Sequence, residues 1–162
     1  MPRHDTVVIF DTDGTLMDGR RAVLDAVCEA LTATYEHFQL PAASPDRERI
    51  GLAIGLPTST FFRTAFDPAT VPAELRHAFA AEFEVQALRM EVAALRRGDS
   101  HLYPGAEETL ATLAGRGHRL ALVSNASDPY FQAVVEVHGL DRWFARTLSL
   151  EYAVRRRLAR HK

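Results

Sequence analysis

A chain of 162 residues with one cysteine, and with 21 acidic against 19 basic residues, has the size of a single domain into which a small second module could be inserted. Its near balance of charge excludes the basic field that nucleic acid or an anionic membrane surface would require, and a lone thiol excludes an intramolecular disulfide. The first apolar run, Val7 to Phe10, is too short for a signal peptide or a membrane span, so a cytoplasmic location is the expectation.

In chain order, Val7-Val8-Ile9-Phe10 is a continuous β-rich run that stops at Asp11-Thr12-Asp13-Gly14, which predicts a strand buried on both faces, as in a parallel sheet. Between Asp18 and Ser100 no run reads as a buried strand. Helical patterns occupy Arg21 to Phe38, Arg47 to Leu56, Ser59 to Phe66 and Ala73 to Arg97 instead. Pro41, Pro45, Pro57, Pro68 and Pro72 fall between or at the starts of those patterns, where proline is tolerated. Cys28, within the first pattern, reads as a small core residue. Pro104-Gly105 opens an amphipathic helix carrying Leu110 and Leu113, closed by Gly115 and Gly117.

A second apolar strand, Leu120 to Val123, stops at Ser124-Asn125, and a helix from Asp128-Pro129 then runs to about Gly139. Helix, strand, helix implies a right-handed α/β crossover. Phe144 to Leu148 reads as a short third strand, and Trp143 and Phe144 read equally as an apolar plug at a helix end. Among the remaining acids, Asp18 and Asp128 read as helix caps and Asp141 as part of the turn after Gly139.

Ligands of open α/β sheets bind at the carboxyl ends of the strands, where both Asp11 and Ser124 are delivered. Two acids two residues apart after a strand can face one crevice if the chain turns out of the pleat, and Gly14 permits that turn. The string Phe10-Asp11-Thr12-Asp13-Gly14-Thr15-Leu16 resembles the first motif of the haloacid dehalogenase superfamily. That resemblance implies that Asp11 attacks phosphorus and becomes an aspartyl phosphate, while Asp13 protonates the leaving oxygen and then activates water. It also implies Mg2+, held by Asp11 and Asp13, to offset repulsion between carboxylate and phosphate. An acid at position 13 favours phosphoryl transfer over dehalogenation, because the dehalogenases of the family lack it. Thr12 departs from the apolar residue common between the two acids, and its side chain is expected to point away from the site.

Leu122-Val123-Ser124-Asn125 resembles the second motif, whose hydroxyl hydrogen-bonds the transferring phosphoryl group. Ser124, Asn125, Gly14 and Thr15 are therefore the candidate phosphate-binding residues. Lys162 stands where the family's lysine, which pairs with nucleophile and phosphate, could fall; the plain alternative is a solvated terminal lysine. A later acidic pair that completes the magnesium site has no counterpart here, so the third acidic ligand is absent and the sequence reads as a shortened member of the family.

The resemblance thus implies an α/β fold: a Rossmann-like parallel-sheet core from residues 1–17 and 101–162, with an α-helical cap, residues 18–100, inserted after the first strand. In the family such caps close over the crevice and select the substrate. The implied function is Mg2+-dependent hydrolysis of a small phosphate monoester, as in phosphoglycolate phosphatase-like enzymes, with a small phosphorylated metabolite as partner. The rivals are a β-phosphoglucomutase-like phosphosugar mutase, a non-enzymatic phosphoacceptor resembling receiver domains, and an inactive fragment. Oligomeric state stays open.

Overall fold

The computed structural model describes residues 6–41, 44–56, 58–65 and 67–159. In chain order its elements are β1 (Val7–Phe10), β2 (Met17–Asp18), α1 (Arg20–His37), α2 (Arg47–Ala53), α3 (Thr58–Ala65), α4 (Arg76–Arg97), β3 (His101–Leu102), α5 (Ala106–Gly115), β4 (Arg119–Ser124), α6 (Asp128–Val137), β5 (Arg146–Ser149) and α7 (Leu150–Ala159). They divide into two compact units. One joins the chain up to Arg20 with the chain from Leu95 onward, and the other is Arg21–Ala94.

The first unit is an α/β layer on a three-stranded parallel sheet of order β1-β4-β5. Val7 pairs with Arg119 and Phe10 with Leu122; Ala121 pairs with Arg146 and Ser124 with Ser149. Alternation along the strands sends Val8, Phe10, Leu120 and Leu122 to one face. There Leu120 and Leu122 are buried together with Leu110 of α5, Phe131 and Val134 of α6, Leu140 and Phe144. The Phe10 and Phe144 rings meet edge to face at 5.9 Å, the arrangement that ring quadrupoles favour. The two readings of the segment around Phe144 both hold in part: Phe144 is a buried plug, and the strand begins after it, at Arg146.

The expectation of a first strand buried on both faces is corrected. Val7 is 47% and Ile9 65% exposed, and Val123 on the same side of the sheet is 38% exposed. The apolar run has the composition of a two-sided strand, but among the described residues β1 pairs only with β4 and its Val7–Ile9 side lacks cover. A short antiparallel ribbon also escaped the pattern reading. Met17 pairs with Leu102 and Asp18 with His101, so Asp18 lies in β2 rather than at the cap of α1. Ser100, buried beside the ribbon, is hydrogen-bonded to His138 Nε2 at 3.1 Å.

The second unit is helical. Val27 and Leu31 of α1, Ile50 of α2, and Phe79 and Phe83 of α4 form its core with Tyr35, whose ring meets Phe79 edge to face at 5.0 Å. Cys28 is a buried free thiol at the border of that core. Asp46 caps α2 by accepting the N–H groups of Glu48 and Arg49 at 3.1 and 3.0 Å, a standard N-terminal stabilisation. The helix stops at Ala53, short of Leu56, because Ile54 turns extended at ψ 129 and Gly55 takes φ +88. Among the described residues no helix is long and apolar enough to cross a membrane.

The packing assignment has a direct check in urea denaturation. Leu122→Ala, at a fully buried site in β4, is expected to cost about 2–5 kcal/mol, whereas Val137→Ala on the exposed side of α6 should cost under about 1 kcal/mol. Equal losses would contradict the burial of the β4 face.

Candidate active site

The ladder between β1 and β4 ends with Phe10 beside Leu122, so the next residue, Asp11, leaves the same edge of the sheet as Ser124, the last residue of β4. Asp11 is exposed. The chain then reverses around one carbonyl: Thr12 O accepts the N–H groups of Thr15, Leu16 and Met17 at 3.2, 2.9 and 3.1 Å, and Gly14 N–H donates to Met17 O at 3.0 Å. Gly14 closes the turn at φ +73, a left-handed conformation that costs an L side chain roughly 1–2 kcal/mol. The N–H groups of Gly14 and Thr15 are thereby engaged inside the turn. Tyr103 N–H, donating to Leu16 O at 2.9 Å, ties the turn to the chain returning after β3.

Asp13 sits in this turn with both carboxyl oxygens engaged. Tyr130 Oη donates to Oδ1 at 3.0 Å, and Thr12 Oγ1 donates to Oδ2 at 3.0 Å. Thr12 is buried; its side chain supports the second acid instead of pointing away, which corrects the expectation. The residue as a whole presents surface to solvent, but its carboxyl end is packed against these two partners. Burial raises the Asp13 proton affinity above the ordinary carboxylate range, and the Asp11 charge adds to the rise; the two donated hydrogen bonds oppose it without cancelling it.

Ser124 is buried, and its Oγ accepts the Ala126 N–H at 3.1 Å, which leaves the hydroxyl proton to be directed elsewhere. Asn125 and Thr15 are exposed. Asp11, Asp13, Gly14 and Thr15 thus occupy one turn, and Ser124 and Asn125 end the strand beside it. Lys162 lies outside the described residues.

Three residues of this edge were not read from the sequence. Ser149, ending β5, is buried and donates to Asp128 Oδ1 at 2.7 Å; Glu151 Oε2 accepts the Asp128 N–H at 2.8 Å; and Tyr130 reaches Asp13. The capping residue of α6 is therefore Ser127, with Asp128 in the first helical turn, and Glu151 satisfies one of the donors that a helix start leaves open. A hydroxyl ending the third strand, as Ser124 ends the second, was the available signal for Ser149.

Among the described residues no group of three or more His, Cys, Asp or Glu side chains could hold a metal ion. Magnesium is commonly held through one or two carboxylates, with substrate phosphate and water completing its shell. The exposed Asp11 carboxylate fits that partial donor set; the Asp13 carboxyl, with both oxygens engaged by Tyr130 and Thr12, does not, so Asp13 would contribute through its main-chain carbonyl.

The family description "haloacid dehalogenase-like hydrolase" matches residues 6–156. The chain belongs to the haloacid dehalogenase-like hydrolases. A curated relative from Dickeya dadantii, named "Probable phosphatase IndB", is 31% identical over 90% of this chain and 59% of its own length. A phosphoglycolate phosphatase of Vibrio cholerae is 29% identical over 86% of this chain and 59% of its own length. The chain therefore spans about three fifths of the curated relatives it matches. Among solved structures, a predicted phosphoglycolate phosphatase from Haemophilus somnus superposes with TM-score 0.68 and 27% identity, over 94% of this chain and 65% of the other. CbbY from Rhodobacter sphaeroides in complex with phosphate, at TM-score 0.64 and 21% identity over 90% and 63% of the two chains, speaks for the fold alone.

For this haloacid dehalogenase-like hydrolase the raised Asp13 group has a consequence for stability. The folded chain binds that proton more tightly than the unfolded chain, whose reference is 3.8. The contribution of Asp13 to stability is therefore greatest below 3.8 and is lost as pH rises through the folded value. In metal-free buffer, Asp13→Asn is expected to be more stable than the parent near pH 7, with the difference shrinking as pH falls through the folded value toward 3.8 and levelling off below it. Urea titrations across that range measure it, and a pH-independent difference would contradict the enclosure of the carboxyl.

Proposed function

We propose that this hydrolase is a Mg2+-dependent phosphatase of small phosphate monoesters, with Asp11 as nucleophile and Asp13 as general acid and base. One observation carries the reading: two acids leave the same strand end into different surroundings, Asp11 exposed and Asp13 with its carboxyl oxygens accepting hydrogen bonds from Tyr130 and Thr12. Paired acids whose surroundings differ in this way divide into an anionic group and a proton carrier. An Asp11 carboxylate oxygen forms a bond to phosphorus as the bond from phosphorus to the ester oxygen breaks, and Asp13 delivers its proton to that oxygen. Asp13 then takes a proton from water as the water attacks phosphorus; the bond from Asp11 to phosphorus breaks and orthophosphate leaves.

Ser124 serves the phosphoryl oxygens through its hydroxyl proton, since its lone pairs already receive Ala126 N–H. Asn125 and the Thr15 hydroxyl act beside it, while Gly14 acts through the turn. Magnesium would be held by the Asp11 carboxylate together with the Asp13 main-chain carbonyl, and would supply positive charge that offsets the repulsion between the carboxylate and an anionic phosphate. The helical unit Arg21–Ala94 is the substrate-selecting cap in this reading. The phosphoglycolate phosphatase from Vibrio cholerae among the relatives supports a small, anionic phosphate ester as substrate.

Steady-state assays with p-nitrophenyl phosphate and magnesium test the assignment. Asp11→Asn is expected to lower kcat at least about a thousandfold, and chelation by EDTA to abolish turnover. Substantial turnover by Asp11→Asn would remove Asp11 as nucleophile.

A further inference from the structure

Asp13 projects from a turn at the sheet edge, and a carboxyl group in such a place can rotate about two side-chain bonds. Proton delivery requires one orientation, since misplacement of a reacting group by about 1 Å costs on the order of 10²-fold in rate. The restraint comes from a residue far away in the chain. Tyr130, in the first turn of α6, is 6% exposed, and its hydroxyl donates to Asp13 Oδ1 at 3.0 Å. Its ring is anchored in the core, beside the fully buried Phe131.

Gly19, which follows β2, lies beside this contact. A Cβ at Gly19 would stand 2.8 Å from Met17 Cε, and in ordinary contact with Ser100 Cβ at 3.7 Å and Tyr130 Oη at 3.9 Å. The absent side chain at position 19 thus makes room for the Met17 side chain next to the turn that carries Asp13.

We infer that Tyr130 is a positioning residue for proton transfer, its hydroxyl fixing the Asp13 carboxyl in the orientation that serves the leaving oxygen. The inference rests on the reading of Asp13 as general acid and base. With the Tyr130 donor on Oδ1, the transferable proton resides on Oδ2. In the first half-reaction it passes from Oδ2 to the ester oxygen as the bond to phosphorus breaks, and in the second Oδ2 recovers a proton from water. The phenol keeps its own proton throughout. Thr12, donating to Oδ2 at 3.0 Å, holds the second oxygen through one lone pair and leaves the other for the proton.

The test compares two esters in the parent protein, Tyr130→Phe and Asp13→Asn. An alkyl phosphate needs its leaving oxygen protonated, whereas p-nitrophenolate leaves without help. Because hydrolysis of the aspartyl phosphate is common to both esters, the readout is kcat/KM, which reports the steps up to release of the alcohol: Tyr130→Phe is expected to lower it about 10- to 100-fold for the alkyl ester and at least tenfold less for p-nitrophenyl phosphate. A merely structural role would depress both esters alike, and that result, or no loss for either, overturns the inference while Asp13→Asn still discriminates between the esters. If Asp13→Asn itself fails to discriminate, the acid assignment falls and the inference with it. Crystal structures give a readout independent of turnover. The Asp13 carboxyl should face Tyr130 in the parent and turn away in Tyr130→Phe; a carboxyl turned away in the parent, or unmoved in the variant, overturns the role.

Discussion

The pairing of β1 with β4 is the constraint on which the remaining structure depends. Because the two strands are parallel and in register from Val7–Arg119 to Phe10–Leu122, both chains leave the sheet at one edge, and an acid and a hydroxyl far apart in sequence become neighbours. A slip of one residue would carry Leu120 and Leu122 from the covered face to the other and expose both. The interactions that prevent that slip, Leu122 and Phe131 in the core and Phe10 against Phe144, are therefore also the ones that locate the site. Core packing and chemistry are one restraint seen from two ends of the strand.

What the sequence disclosed of this arrangement follows from the range of each signal. The strands Val7–Phe10 and Arg119–Ser124 were visible because each is an apolar run cut off by polar residues, and the Asp11 to Leu16 string is contiguous and needs no tertiary information. The four helices from Arg20 to Arg97 were legible to within a few residues at their ends, the largest differences falling equally at the end of α2, where Ile54 turns extended and Gly55 adopts a positive φ, and at the start of α4, which begins at Arg76 and not at Ala73. The ribbon of Met17–Asp18 with His101–Leu102 is two residues long on each side, too short for any periodicity. Burial of β1 was over-read for a physical reason as well: apolar composition records what a strand can bury, and Val7 and Ile9 have no cover among the described residues.

Side-chain contacts across the chain were the hardest to read. Asp13 with Tyr130, and Ser149 with Asp128, join elements whose proximity is set only once α6 has packed on the sheet. Asp128 illustrates the limit, since an acid before proline at a helix start reads as a cap. In the fold Ser127 takes the cap position without a side-chain hydrogen bond, and the carboxylate of Glu151, arriving from the next helix, accepts the Asp128 N–H instead. Thr12 illustrates it again: strict strand alternation would aim it away from the site, but the strand has ended and the turn folds its hydroxyl onto the Asp13 carboxyl.

The same turn gives two chemically identical side chains two residues apart different surroundings. Asp11 is the last residue before the reversal and remains open to solvent. Asp13 follows the bend, and the folding back of Leu16 and Met17 onto Thr12 O brings it against Tyr130. Burial penalises the Asp13 anion and raises its proton affinity, and the two hydrogen-bond donors limit how far that penalty runs. Burial without donors would raise the affinity further, and full exposure would leave it unraised, so the balance between packing, one phenol and one threonine hydroxyl sets the character of this carboxyl.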